Sequence, residues 1–318
     1  MYLKEKTVKK KKYLYLSESF RLPNGKVRSA EKIIGKKAPL KELEKKYADF
    51  FVKKKKEAFA NYALGEYKTD SIFTKAEFEK IEGIKVDYQR TIKSFSKLQL
   101  KDVFDRFIAN FTYESNAIEG NSLTLKDVAI VMFEKRSIEG KDLREIYETR
   151  NSRAVMNPLM KKKFDVKEKD IVKMHKMLMK DIDERTGYKQ IPNYIPGSGV
   201  EFTLPEKVNE EMASLIAWYE KSSESLHPIQ VSALFHGKFI KIHPFEDGNG
   251  RVGRFVSNAI LINQDYPPFI IRKTQRDSYI KCMQDFHRGY TKNLERFFLR
   301  KYKDTYRKFF EGYLKYIK

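Results

Sequence analysis

The sequence predicts a mainly α-helical protein with a small β-containing region at its N-terminus. From Leu98 onward, apolar residues recur at three- and four-residue spacing, segment after segment, joined by short links. That spacing marks amphipathic helices that share a core. Before residue 40 the pattern changes. The run YLYLSESFRLPNGKVRSAEKII, Tyr13 to Ile34, places strand-forming residues on both sides of Pro23-Asn24-Gly25. Asn-Gly is a strong hairpin signal because both residues accept positive φ. With 318 residues, 41% of them hydrophobic, the chain can bury a sizeable core in one or two domains.

The elements follow in order. After the expected hairpin come helical patterns from Leu40 to Ala63 and around Phe73 to Phe107. Residues 1–97 thus read as an appended basic region, and residues 98–298 as the core. Between Thr186 and Pro205, Gly187, Pro192, Pro196, Gly197 and Gly199 punctuate the strand formers Ile191, Tyr194, Ile195, Val200 and Phe202, which predicts a short β-hairpin over 186–205. Val231, Leu234, Phe235, Phe239 and Ile242 form one helical stripe. Pro244 cannot continue that helix, so it ends near His243. Phe255, Val256, Ala259, Ile260 and Ile262 belong to the next helix. Aromatic residues and lysines at helical spacing from Leu294 to Ile317 predict a terminal helix, placed at 299–318.

The loop between the two core helices concentrates reactive groups. It reads HPFEDGNGRVGR, His243 to Arg254. Backbone amides at a helix N-terminus are unpaired and carry partial positive charge, so the loop Asp247 to Gly250 opens a ready anion site. Gly248 and Gly250 lack a Cβ and let the backbone approach a phosphate closely. Arg251 and Arg254 lie on one helical face, and guanidinium forks match phosphate oxygens. Asp247 suits a magnesium ion that also binds phosphates. His243 can take a proton near neutral pH.

This string resembles the signature of the Fic (filamentation induced by cAMP) family, HPFx(D/E)GNGRxxR, at every fixed position. The upstream segment HPIQVSALFHGKFIKI, His227 to Ile242, and the segment TGYKQIPNYIPGSGVEFTLP, Thr186 to Pro205, resemble the family's preceding helix and its flap. The resemblance spans roughly Leu98 to Phe298. It implies a Fic-type helical bundle and transfer of AMP from ATP to Ser, Thr or Tyr hydroxyls of proteins, the enzyme itself included. His243 would be the general base and Asp247 the Mg2+ ligand. Gly248, Asn249 and Gly250 would form the anion hole, and Arg251 and Arg254 would hold the outer phosphates. Tyr279 and His287 stand where relatives often carry adenosine-binding tyrosine and asparagine; His287 departs from the amide. Lys189 replaces a frequent arginine. The flap would receive the protein target as an added strand.

A second string, ESNAIEGN from Glu114 to Asn121, matches the family's inhibitory motif (S/T)xxxE(G/N) at Ser115, Glu119 and Gly120. Its place before the core resembles the class with an N-terminal inhibitory helix, here near 110–120. Glu119 would compete with the γ-phosphate for Arg254. In some relatives the same glutamate serves removal of AMP, so de-AMPylation and transfer of another nucleotide stay open as readings of the same site.

Composition bounds the rest. No apolar run is long enough to cross a membrane, and no signal-peptide stretch follows the first lysines, so a cytoplasmic, membrane-free location is expected. The single cysteine, Cys282, excludes an intramolecular disulfide, and five scattered histidines offer no zinc cluster. The net charge is +22, with lysine runs at Lys9 to Lys12, Lys53 to Lys56 and Lys161 to Lys163. Such a surface attracts polyanions. A nucleic-acid-associated regulator using the Fic site as a nucleotide sensor is therefore the alternative of another class, not favoured because no nucleic-acid motif is present. Relatives are often dimeric, so a homodimer is an open expectation.

Overall fold

In the computed structural model, residues 1–35, 38–194 and 200–316 are described. The chain divides into two compact units, Met1–Asp87 and Tyr88–Lys318, where the sequence placed a division at 97/98.

The first unit begins with an antiparallel meander of three strands: β1 (Tyr2–Val8), β2 (Lys11–Arg21) and β3 (Val27–Ile34). The expected hairpin is β2–β3, with Arg21 opposite Val27. Its turn differs in detail. Gly25 alone takes positive φ, at +82°, and the Gly25 amide closes on the Leu22 carbonyl at 2.9 Å, with Pro23 and Asn24 at the centre. β1 is an additional strand, joined to β2 through Lys9 and Lys10, both at positive φ. Side chains alternate across a sheet. One face sends Leu14, Leu16, Ala30 and Ile34 against Leu43 and Phe51 of α1 (Leu40–Glu66). A second cluster joins Leu22, Phe59 and Val86, the last from α2 (Lys75–Ser94).

The second unit is helical: α3 (Lys97–Ile118), α4 (Leu125–Ala129), α5 (Leu143–Met160), α6 (Glu168–Met179), α7 (Val208–Ser223), α8 (Pro228–Ile242), α9 (Asn249–Asn263), α10 (Arg276–His287) and α11 (Lys292–Phe309). α3 starts at a capping box. Ser96 Oγ accepts from the Gln99 amide, and Gln99 Oε1 accepts from the Ser96 amide. It stops where Gly120 turns to φ +104°, the stop that the glycine predicts. α9 is the centre. It packs on α3, α5, α6 and α8 and is buried along nearly all of its length. A helix enclosed on every side needs small residues at its contacts: a Cβ on Gly253 would lie 3.0 Å from the His236 ring of α8. α11 runs continuously across position 298. Among the described residues, no helix is long and apolar enough to cross a membrane.

The flap differs from a hairpin. Residues 186–194 and 200–205 contain no strand. The first limb is tied to the neighbouring motif loop. The Lys189 amide donates to the Pro244 carbonyl at 2.9 Å, and Asn193 Nδ2 donates to the Phe245 and Glu246 carbonyls. Pro192 removes a ladder donor. The expected turn, with Ile195, Pro196, Gly197 and Gly199, lies outside the described residues.

Candidate active site

The motif loop is shaped by its own side chains. His243 caps α8 in the left-handed conformation, φ +51°, and so reverses the chain ahead of Pro244. Asn249, buried at the start of α9, clamps the loop: its Oδ1 accepts from the Phe245 amide at 2.9 Å and its Nδ2 donates to the Phe245 carbonyl at 2.7 Å. Gly248 takes φ +79°, with Met179 Sδ 3.1 Å from where a Cβ would stand. The loop thus delivers the first turn of α9 with its amides facing outward from a fixed frame.

Both arginines are buried, at 2% exposure, although arginine is rarely enclosed without partners. Arg251 lies 3.2 Å from Glu148 Oε1 and 3.5 Å from Asp247 Oδ2. Arg254 Nε donates to Ser115 Oγ at 2.9 Å, and its Nη2 donates to the Ser115 carbonyl at 2.8 Å and to Glu119 Oε1 at 2.7 Å. Arg251 Nε and Arg254 Nη1 are buried with no hydrogen-bond acceptor among the described residues. A buried charged donor left unsatisfied is costly, and phosphate oxygens beside the α9 N-terminus would satisfy both. Glu119 intrudes on the same space: a Cβ on Gly250 would lie 2.2 Å from its Oε1.

His243 lies under the flap residue Phe202, ring centres 4.1 Å apart. Burial lowers its pKa to about 4; the hydrogen bond to the Ile240 carbonyl and the Glu119 charge oppose this, and Lys189 and His287 add to it. The Nδ1 contact with the Ile240 carbonyl, at 3.3 Å, suits an Nδ1–H donor and leaves Nε2 as the acceptor. Lys189 is itself buried, which lowers it to about 8. Asp247 is held below the usual carboxylate range. Burial opposes this, but Arg251, the Gly248 amide and Arg144 together prevail.

Asp247 is the one candidate metal ligand in the loop. Its Oδ2 is bonded by Arg144 Nη2 and its Oδ1 by the Gly248 amide at 2.5 Å. Among the described residues, no group of three His, Cys, Asp or Glu side chains could hold a metal. A lone, partly exposed carboxylate fits Mg2+ shared with substrate phosphates, and does not fit an all-protein cage.

The structure brings Ser115, Glu119, Asp247, Asn249, Gly250, Arg251 and Arg254 to one place. His287 stands near its rim, edge-on to Phe202 with ring centres 6.0 Å apart. Tyr279 is 6% exposed; its hydroxyl meets buried His236 Nε2 at 2.7 Å, and the charges of Arg254 and Glu119 act on it. Several residues of the site had no signal in the sequence reading. Glu148 and Arg144 orient Arg251 and Asp247. His175 stacks on Phe245, ring centres 3.8 Å apart, and meets the Asp247 carbonyl at 3.1 Å. Arg144 and Glu148 sit four apart on α5, a spacing common to any surface ion pair.

A helical core that presents a glycine-opened helix N-terminus beside two enclosed arginines forms a site of concentrated positive charge suited to an anion. Comparisons with known proteins bear on this domain. Residues 165–261 match the model of the Fic/DOC family. The chain is 31% identical over 231 residues to a protein adenylyltransferase Fic of Nematostella vectensis, covering 68% of this chain and 52% of that protein. The chain thus spans about half of that relative's length. A Fic family protein from Desulfovibrio desulfuricans superposes with a TM-score of 0.60 at 26% identity, over 76% of this chain and 75% of that one. Fic-1 of C. elegans shares the fold, with a TM-score of 0.65 at 22% identity, over 76% of this chain and 74% of that one. Residues 165–261 thus carry a domain of the Fic/DOC family.

Proposed function

We propose that this chain transfers AMP from ATP to hydroxyl groups of proteins, its own included, and that Glu119 restrains the transfer. The observation that carries the reading is the pair of buried arginines, each with an unsatisfied nitrogen, at the N-terminus of α9. The 31% identity to proteins named adenylyltransferases supports the choice of AMP.

His243 Nε2 takes the proton of the target hydroxyl. The hydroxyl oxygen attacks the α-phosphorus, the bond to the bridging oxygen breaks, and pyrophosphate leaves. Amides of Asn249 and Gly250 face the developing charge, next to the Gly248 amide that bonds Asp247, and Arg251 and Arg254 hold the outer phosphates. Catalysis is then mostly positioning and charge stabilisation. Mg2+ held by Asp247 would supply further neutralisation of the phosphates. While Glu119 bonds Arg254, its carboxylate occupies γ-phosphate space. ATP then sits with its α-phosphate misaimed, and errors of about 1 Å cost on the order of 100-fold. The flap would receive an extended target segment along its backbone.

The test is incorporation of label from α-labelled ATP, with GTP, UTP and CTP in parallel, by the wild-type chain and the Glu119→Gly and His243→Ala variants. Strong AMP labelling by the Glu119 variant that His243→Ala removes is the expected result. No incorporation from any nucleotide by the Glu119 variant, with ATP binding intact, would overturn the reading.

A further inference from the structure

The outer face of the N-terminal sheet takes no part in the site above. Alternation turns Leu14, Leu16, Ala30 and Ile34 toward α1. The opposite face therefore carries Lys4 and Lys6 of β1 and Lys11 and Arg21 of β2. Its one acid is Glu31, already paired with Lys4 at 3.9 Å and with Lys6. Val8, Val27 and Ile33 on this face stay 44%, 58% and 54% exposed, so an apolar surface is left open among the cations.

The β1–β2 turn adds a second, independent observation. Its two loop residues, Lys9 and Lys10, both adopt the left-handed conformation, φ +48° and +66°. Such turns are built from Asn-Gly because L side chains are strained there. This chain uses two lysines instead and follows them with Lys11 and Lys12. Strain retained at one spot marks a position under another demand. Here the strain holds a cluster of cations at the tip of a hairpin.

We infer that this sheet face binds a nucleic-acid duplex, with the Lys9–Lys12 tip reaching the phosphate backbone. Strands spaced about 4.8 Å apart make each two-stranded half of the sheet roughly 10 Å across, within the width of the major groove, about 12 Å, which admits a two-stranded ribbon. A stacking platform for single strands needs open aromatic faces. Tyr15, in the middle strand, instead lies under the Lys6 ammonium, 5.2 Å from its ring centre, and Tyr2, 45% exposed, is a single open ring at the edge strand rather than a platform. The short Ser19 and Ser29 side chains, 3.0 Å apart, keep the face low at its β2–β3 turn end.

The experiment titrates the full chain against a labelled mixed-sequence DNA duplex, the matching single strand and anionic lipid vesicles, over a range of salt. The key variant is Lys9→Asn with Lys10→Gly. It relieves the turn, so lost binding cannot be blamed on lost folding. Duplex affinity is expected to fall about tenfold and the log–log salt slope by about two, near 0.9 per lost phosphate contact, with no fall in Tm. Lys41→Ser with Lys45→Ser, on α1 behind the sheet, removes equal charge and is expected to leave the slope nearly unchanged. Absence of duplex binding at low salt, equal losses in both double variants, or a preference for the single strand or the vesicles would each overturn the inference.

Discussion

Arg254 and Glu119 meet at 2.7 Å, and the same guanidinium group holds Ser115 through both its hydroxyl and its carbonyl. The arginine is enclosed at 2% exposure, whereas the Glu119 side chain is 40% exposed. The pair is therefore asymmetric: the cation is fixed by the core, and the carboxylate is free to leave. Substituting Glu119→Gly is expected to leave Arg254 in place through Ser115 and to raise self-labelling at least tenfold. Ser115→Ala leaves a buried guanidinium donor unpaired, at a cost of about 1–3 kcal/mol. It should lower Tm by more than Glu119→Gly, which forfeits only the partly exposed ion pair. Label incorporation and thermal melts of both variants check this.

Gly250 provides a second handle on the same pair. A Cβ there would meet Glu119 Oε1 at 2.2 Å and Arg254 Nη1 at 3.2 Å. Gly250→Ala should expel the carboxylate and forfeit an ion pair of about 1 kcal/mol. In the Glu119→Gly background that cost vanishes, and the gain in helix propensity of up to about 1 kcal/mol remains. The expected outcome is a double-mutant cycle in which Gly250→Ala is more favourable to Tm in the Glu119→Gly background than in the wild type, by about the worth of the ion pair. AMP transfer should fall in both backgrounds, because the Cβ also occupies the phosphate approach.

Arg144 bonds the Oδ2 of Asp247, the candidate Mg2+ ligand. Both side chains are about half exposed, so the pair contributes at most about 1 kcal/mol. Arg144→Ala should lower the Mg2+ concentration for half-maximal labelling about two- to fivefold. A magnesium titration of the Glu119→Gly protein with and without the Arg144 change measures it. An unchanged midpoint would mean that the arginine does not compete with the metal.

Two buried histidines set an acid limit to stability. Burial lowers His175 to about 4 and His236 to about 3. In the unfolded chain both titrate near 6.5. Below that pH the unfolded state takes up protons that the folded state refuses, so stability falls with pH from about 6.5 downward. Each histidine should cost roughly 3 kcal/mol by pH 4. Thermal melts between pH 7 and pH 4 should show a steep decline, and replacing His236 with asparagine should flatten it.

Much of the site was legible because its parts are local. The string from His243 to Arg254 holds base, acid, glycines and arginines within twelve consecutive residues. The meeting of Glu119 with Arg254 spans 135 residues and rested on a motif alone. Arg144, Glu148 and His175 escaped notice because their partners lie far along the chain and their own spacings are ordinary. Tyr279 was placed by analogy with relatives, and in the structure its hydroxyl serves His236 in the core. β1 was missed because Lys9 and Lys10 do not read as a turn: lysine pairs normally signal a solvated face, not left-handed backbone. The flap was read as strands from its β-formers, but its described backbone is tied to the motif loop through Lys189 and Asn193.

The enclosure of α9 has a consequence for how the domain breathes. Elements buried on every side exchange their amide hydrogens only when the whole domain opens, whereas exposed helix ends fray at little cost. The first turn of α9 grows out of a helix enclosed along nearly all of its length, whereas Glu119 and Gly120 are the exposed residues that follow the buried last turn of α3. Local opening at 119–120 will thus occur many times for each opening of the arginine it touches. The Glu119 carboxylate and the guanidinium it contacts live on different clocks.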